Sequence, residues 1–505
     1  MVNLVDKSCL ADDLEGNVQG LPRVPAAISD MAQRFLQQEQ LVFDLVDGFG
    51  SPLNIMFPEQ MAENIAGFQQ VLTDRQLQGR IYFTSKPNKS RAVIRRAAMT
   101  GCGLDVSSAG EAQSALSCGF RPERIEATGP KNMAYLSICV QQGITVNVDN
   151  IAELETLAQM HQSLGLSERI PCFVRLDGFK PERVKFTTQD STFGINVSEA
   201  PAVLDMLVEH KDRLDFRGFS FHFNAGDMIR RGPAMEACIE LTFEAINRGL
   251  APKGRDIGGG YRINYAATQD DWNRYIEALK SAVLGERDSL TFNDAGLGFR
   301  AENGMLRGAP NFMEHWHPKT GPQDLAAVID QPLPGLGGQT AAQILSESLL
   351  ELYVEPGRAL LDQVGLTLAR VSHAKPSMEG DMLIALEMNR TNLNSTQLKC
   401  MTDPVLLYRG GIEGRASGDQ GVLYVGNLCL THDMIQYHKT FPQAMPQHGD
   451  VVAFINTAAY QMDFAETPVL QQSMAEKLAV VETEQGRFRW FKDEQYNPIA
   501  LAMGD

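Results

Sequence analysis

Eight short apolar runs, each followed by a polar turn, recur between residues 81 and 356: IYFTS (81–85), GLDVSS (103–108), RIEAT (124–128), ITVNV (144–148), PCFVRL (171–176), FRGFSFH (216–222), RDIGGG (255–260) and ELYVEP (351–356). Their length and β-branched or aromatic content read as strands. Between them lie stretches such as RAVIRRAAMTG, EAQSALSCG, IAELETLAQMHQSLG and AMEACIELTFEAINRG, whose apolar residues recur at three and four and read as amphipathic helices. Strand and helix alternating eight times is the layout of a (β/α)8 barrel. Alternation alone leaves an open doubly wound sheet as the other arrangement.

Beyond residue 358 the pattern changes to strand-like runs with few helices, among them QVGLTLARVSHA, DMLIALE, GVLYVG, GDVVAFIN, LAVVETEQ and RFRWF. A β-rich domain therefore follows the barrel. The segment LVFDLVDGFGSPLNIMF (41–57) reads as a hairpin with a glycine-containing turn, expected to join that domain from the other end of the chain. The organisation this predicts is an N-terminal segment over 1–57 that contributes to the β domain, a barrel over 58–359 and a C-terminal β domain over 360–505. Residues 1 to about 25 read as poorly ordered. The interval from Gly260 to Glu355 is long for one barrel step, and its Gly- and Pro-rich middle predicts an inserted loop or lid around 290–345. GLGFRA within that interval has the spacing of a dinucleotide fingerprint but no βαβ continuation, so it carries little weight.

Acidic residues outnumber basic ones 62 to 45, for a net charge of −17, which argues against a nucleic-acid partner and against an anionic membrane surface. No apolar run reaches the length of a membrane helix, and the N-terminal stretch lacks a basic region followed by an apolar one. A cytoplasmic protein is expected. Eight cysteines occur without a CxxC pair or metal-ligand spacing, so neither a disulfide framework nor a metal site is predicted.

If the eight runs are barrel strands, their C-terminal ends share one mouth. The residues there are Lys86, Asp105, Lys131, Asp149, Arg175, His222, Gly258, Gly259, Gly260, Glu355 and Arg358. A lysine amine, ordinarily with a pKa of about 10.4, becomes a usable nucleophile when partly desolvated, and Lys86 is expected in that state. Three successive glycines let the backbone approach an anion and present N–H groups to it. A phosphorylated aldehyde would explain the whole set, with a lysine for the imine, glycine amides and an arginine for the phosphate, and a carboxylate for a ring nitrogen. Pyridoxal phosphate is that molecule.

VEPGR (354–358), DIGGGY (256–261), GLDVSSAGE (103–111), FHFNAGD (221–227) and the SKPN lysine together resemble the ornithine/diaminopimelate/arginine decarboxylases, fold type III enzymes that use pyridoxal phosphate. The motifs fall in the family's order over about residues 40 to 465. The resemblance implies that Lys86 carries the cofactor, that His222 stacks on its ring, and that Glu355 pairs with the ring nitrogen. It further implies that Asp105 and Arg175 lie near the cofactor, and that Gly258 to Gly260, Arg358 and Tyr460 hold the phosphate. Cys429 matches the cysteine that a head-to-tail homodimer contributes to the neighbouring site, where it would donate a proton.

The implied activity is loss of the α-carboxylate from an amino acid, a carbon–carbon lyase reaction. Two readings stand beside it, a racemase or epimerase on the same barrel and a catalytically dead regulatory binder. Glu355 argues against the racemase, whose resemblance would place an arginine there. Departures from the family pattern bear on the substrate. The family's serine after the histidine motif is Ala225, which removes a phosphate donor. The acidic residue expected after the cysteine is Leu430, leaving Asp433 as the nearest substitute partner for a substrate ammonium. The arginine that reads a distal carboxylate has no clear counterpart in MTDPVLLYRG, where Asp403 precedes the proline. A modified, acylated or apolar amino acid, or one tethered to a carrier, is therefore expected rather than a simple diamino acid, with the insertion as a recognition element.

Overall fold

The computed structural model describes residues 21–179, 191–224, 228–394 and 400–502. The chain forms two compact units. The first comprises Pro58–Arg262, Lys319–Asp362 and the chain from Asp493 onward. Its strands are β1 (Gly79–Thr84), β2 (Gly103–Val106), β3 (Ile125–Ala127), β4 (Thr145–Val148), β5 (Ile170–Asp177), β6 (Leu214–Ser220), β7 (Gly254–Asp256) and β8 (Glu351–Val354). Each pairs in parallel with its neighbours; β8 meets β1 through Leu352 and Gly79, and β4 meets β5 through Val146 and Cys172, so the ring closes. All eight expected strands are present, and closure excludes the open sheet.

Local chemistry explains why each strand gives way to a helix. At the turns after β1 to β4, Ser90, Ser108, Asn132 and Asn150 each accept an N–H from the first turn of the helix that follows. Such a cap satisfies a donor the helix cannot and contributes about 1 kcal/mol. Helices Met133–Gln142 and Ile151–Leu164 stop at Gly143 and Gly165, whose φ of 73° and 63° favours glycine. Inside the ring, Tyr353 packs against Phe173 at 5.2 Å and Tyr82 at 6.0 Å between ring centroids, forming an aromatic floor below the strand ends.

The C-terminal tail belongs to this unit, not to the β domain in which residues 360–505 were expected. Asp493 accepts from the Arg91 N–H (2.7 Å), the Ala92 N–H (3.3 Å) and the Ser90 hydroxyl, placing a carboxylate on the N-terminus of helix Arg91–Ala98. Tyr496, fully buried, donates to Glu59 at 3.2 Å.

The second unit comprises the chain up to Phe57, Ile263–Pro318 and Gln363–Lys492. Strand Leu53–Met56 lies between Gly365–Pro376, antiparallel, and Glu476–Glu482, parallel, within a sheet that also holds Met382–Leu386, Val405–Leu407, Val422–Val425, Val451–Phe454 and Phe488–Lys492. The hairpin expected over 41–57 is half correct. Its second arm is this strand, but Glu39–Phe49 is a helix, because Val42, Phe43, Leu45 and Val46 recur at helical spacing and bury one face. Gly50, at φ 90°, ends the helix instead of turning a hairpin.

The insertion divides differently from the 290–345 expectation. Residues 263–318 belong to the β-rich unit, where Trp272, Tyr275, Leu279 and Leu290 pack with Val24, Met401 and Phe441. The chain then rejoins the barrel through helices Gly321–Ile329 and Ala341–Glu347. GLGFRA leads into an antiparallel hairpin, Phe299–Glu302 with Met305–Gly308, not a βα turn. Val24, within the stretch read as poorly ordered, is buried and donates to Asp403 at 3.0 Å; residues 1–20 lie outside the described residues. Among the described residues no helix is long and apolar enough to cross a membrane.

Asp493→Ala should leave the Arg91 and Ala92 N–H groups without their carboxylate, beside the Ser90 cap that remains, and destabilise the barrel by about 1 kcal/mol. Chemical denaturation measures the loss, and hydrogen exchange should localise it to the first turn of that helix.

Candidate active site at the barrel mouth

Lys86 follows β1 after one intervening residue, ahead of buried Pro87 and Asn88. Its own side chain is exposed, not partly desolvated as expected. The turn beneath it is fixed from two sides. Thr84 Oγ1 donates to the Glu355 carbonyl (2.9 Å), and Ser85 Oγ donates to Glu111 Oε2 (2.9 Å), which also accepts the Ser107 N–H (2.7 Å). Glu111 thus ties the SKPN and GLDVSSAGE motifs together.

Below the mouth, strand alternation turns four carboxyl groups inward: Asp105 from β2, Glu126 from β3, Asp256 from β7 and Glu355 just after β8. Carboxylate oxygens of Glu126, Asp256 and Glu355 all lie within 4.8 Å of one another. Asp105 accepts from Thr128 (2.6 Å), Asp256 from the Gly258 N–H (2.7 Å) and Glu126 from Asn147 (2.8 Å). Burial, reinforced by mutual repulsion, pushes Glu355 and Glu126 well above the usual carboxylate range and Asp256 up to about 7. Arg175, from β5, opposes this for Asp256 and Glu355. Glu355 Oε1 is buried without a hydrogen-bond partner among the described residues.

The glycine turn after β7 is packed so closely that no residue in it could carry a side chain. A Cβ on Gly258 would fall 2.6 Å from the Phe221 carbonyl, one on Gly259 2.3 Å from the Glu355 carbonyl, and one on Gly260 2.2 Å from the Phe223 carbonyl. Two of its N–H groups are already engaged, Gly258 with Asp256 and Gly259 with His222 Nδ1 (3.2 Å). The Gly260 N–H has no such partner among the described residues. Accepting at Nδ1 leaves the His222 proton on Nε2. Burial first, then Arg175, Lys86 and Arg231, holds this imidazole well below the usual histidine range and therefore neutral. Its Nδ1 lies 4.0 Å from Glu355.

Arg231 fixes the turn from behind. It is 1% exposed, and its guanidinium donates to the carbonyls of Gly259 (2.5 Å) and Phe223 (3.0 Å). With the carbonyls turned towards Arg231, the glycine backbone keeps one fixed conformation. Sequence reasoning missed Arg231, Glu126 and Asp256. An acid inside the apolar run RIEAT was the available signal for Glu126.

Other strand-end residues serve the scaffold. Lys131, its side chain fully buried, donates to the carbonyls of Gly129 (2.8 Å) and Asn147 (2.7 Å) and pairs with Glu153; Asp149 accepts the Gly194 N–H (2.9 Å). Arg358 lies in the turn after β8. Ala225 lies outside the described residues.

In the β-rich unit, Cys429 and Leu430 are exposed on a turn built by Asp433. Asp433 is buried, and its carboxylate accepts from Leu428 (2.8 Å) and Arg390 (3.0 Å). Both of its oxygens are committed to backbone, which corrects the expectation that it faces a substrate. Asp403 likewise accepts from Val24. Tyr460, at φ 66°, follows strand Val451–Phe454 in the same unit.

Residues 59–298 match the family described as pyridoxal-dependent decarboxylase, pyridoxal binding domain. The chain is 29% identical to an uncharacterized protein, y4yA, of Sinorhizobium fredii, over 93% of this chain and 95% of that one. It is 22% identical to a diaminopimelate decarboxylase of Halalkalibacterium halodurans, covering 84% and 85%. Among solved structures, the diaminopimelate decarboxylase of M. jannaschii in complex with L-lysine superposes with a TM-score of 0.65 at 17% identity, covering 91% of this chain and 95% of that one. The lysine/ornithine decarboxylase of Vibrio vulnificus bound to putrescine gives 0.62 at 17% identity, covering 90% and 99%.

Arg231→Leu should leave the Phe223 and Gly259 carbonyls buried without donors, at about 1–3 kcal/mol each. The expected result is a lower unfolding temperature and at least about tenfold weaker pyridoxal phosphate binding, read by fluorescence titration.

Proposed function

Because this chain belongs to the pyridoxal-dependent decarboxylases of fold type III, we propose that it removes the α-carboxylate of an amino acid whose far end carries no free ammonium. Pyridoxal phosphate, the cofactor of that family, supplies an aldehyde that captures an amine and a ring that stabilises negative charge at the substrate's α-carbon. The barrel mouth fits it. Glu355 offers a buried oxygen without a partner among the described residues, suited to a protonated ring nitrogen. The turn at Gly258 to Gly260 is bare enough for a phosphate to approach backbone, and the Gly260 N–H, which has no partner among the described residues, could bind it.

Glu355 carries the case for decarboxylation. An ionised carboxyl beside a ring nitrogen favours its protonated form, and that is the stronger electron acceptor. Lys86, free at the mouth, is the amine for the aldehyde. Neutral His222 presents a flat, uncharged face to the ring without repelling a pyridinium. Asp105 and Arg175 set the field around it, and Arg358 and Tyr460 complete the phosphate ligands by family likeness. By the same likeness, Cys429 of a second copy in a head-to-tail homodimer returns the proton to the α-carbon.

The substrate class follows from the turn that bears Cys429. Leu430, 48% exposed, stands where family members place an acid, both oxygens of Asp433 are engaged by backbone, and Asp403 accepts from the Val24 N–H with its other oxygen 3.3 Å from His438. An ammonium brought to this surface would meet leucine and lose its charge partner. An acylated or apolar amino acid, or one tethered to a carrier, suffers no such loss.

A screen by CO2 release should give turnover with acylated, apolar or carrier-tethered amino acids, and little with ornithine, lysine, arginine or diaminopimelate. Efficient turnover of any of those four would overturn the substrate assignment. Leu430→Asp should raise kcat/KM for lysine or ornithine about tenfold, the worth of one charge-assisted hydrogen bond.

A further inference from the structure

Glu126 is fully buried on β3, yet the reaction proposed above gives it no task. Its two oxygens have different surroundings. Oε1 accepts from Asn147 Nδ2 at 2.8 Å, and the Asn147 amide is oriented in turn by Ser220, whose hydroxyl donates to Asn147 Oδ1 at 2.7 Å. Oε2 has no hydrogen-bond partner among the described residues, and the carboxylates of Asp256 and Glu355 lie within 4.8 Å.

Three carboxyl groups this close, out of water, cannot all be ionised. Their surroundings differ enough to decide where a proton rests. Asp256 accepts the Gly258 N–H, which stabilises its charge. Arg175 acts on Glu355, which in the reading above also has a ring nitrogen to face. Among the described residues Glu126 accepts from the Asn147 amide alone. Lys131, the nearest cation to it, already donates to the Gly129 and Asn147 carbonyls and to Glu153. Among the described residues, the other titratable or charged groups around the cluster include Tyr82 on β1, Asp105 on β2, Lys86, His222 and Tyr261.

We infer that Glu126 is protonated at neutral pH and donates a hydrogen bond from Oε2 into the Asp256–Glu355 pair, leaving Glu355 as the ionised member that faces the cofactor. Glu126 is thus a positioning residue. It acts on the ring through Glu355 and never touches it. Burial, with repulsion from Asp256 and Asp105, also raises the Glu126 carboxyl well above its usual range. The role of Glu355 rests on the pyridoxal phosphate reading; the protonation of Glu126 does not.

The test compares the full chain with its Glu126→Gln variant, with and without pyridoxal phosphate. Glutamine keeps the size and the donor. Infrared spectra with isotope-labelled glutamate should lose one protonated-carboxyl band in the variant, while the pH dependence of the bound cofactor's absorbance stays in place. If Glu126 is ionised instead, no band is lost and the absorbance profile shifts, because a negative charge has been removed; that result overturns the inference.

Stability gives a second readout. A carboxyl raised in the folded state stabilises fully below its unfolded value, about 4.3, and that contribution is lost as pH rises towards the folded value. Glu126→Gln should therefore lose less stability than the parent between about pH 5 and 8. Equal slopes count against the proposal. The parent chain alone also decides: a spectrum at neutral pH without a protonated glutamate band overturns it, whether or not the variant folds. Failure of the pyridoxal phosphate reading would look different, as a parent chain that develops no cofactor absorbance.

Discussion

Parallel pairing of Val146 with Cys172 closes the ring, and the arrangement of the mouth depends on that closure. A closed parallel barrel has no free edge and sends every strand's C-terminal end to one side. Lys86 and Glu355, far apart in sequence, thereby share one mouth: β1 and β8 are adjacent, and Thr84 bonds the Glu355 carbonyl. Every candidate group of the barrel inherits its place from this one topological fact.

Closure also imposes a difficulty. Residues that alternate inward have nowhere else to go, and this barrel turns four carboxyl groups into a space floored by Tyr82, Phe173 and Tyr353. Buried charge is costly unless it is paired, hydrogen-bonded or neutralised. All three remedies occur: Arg175 counters Asp256 and Glu355, Thr128 and Asn147 donate to Asp105 and Glu126, and burial favours the neutral form of Glu126. The guanidinium of Arg231, buried behind the glycine turn, holds backbone in place without facing the acids.

Most strands were legible because they are short apolar runs rich in β-branched or aromatic residues, followed by a Ser or Asn cap in four of the turns, whereas β7, Gly254–Asp256, was marked by the glycines after it. The motifs at their ends were legible for the same reason, since a strand end is a local property. What could not be read locally was misplaced. In 41–57 two hydrophobic periods overlap, and only burial of Val42, Phe43, Leu45 and Val46 against the sheet decides for a helix. Residues 263–318 looked like a barrel insertion because their partners, Val24, Met401 and Phe441, are remote in sequence. Arg231 lies inside a helix and Asp433 in a turn; nothing nearby in sequence signals the carbonyls and amides they serve.

The threading of the chain governs the order in which it can become stable. Leu53–Met56 is made early but stays unpaired until both Gly365–Pro376 and Glu476–Glu482 have been synthesised. Helix Arg91–Ala98, formed from the first barrel turn, likewise waits for Asp493. Both units therefore carry open valences until Glu476–Glu482 and Asp493 have been synthesised. A chain interrupted after the eighth barrel strand would leave Leu53–Met56 without its partner strands and the Arg91 and Ala92 N–H groups without Asp493, exposing the interrupted product to proteolysis in two places at once.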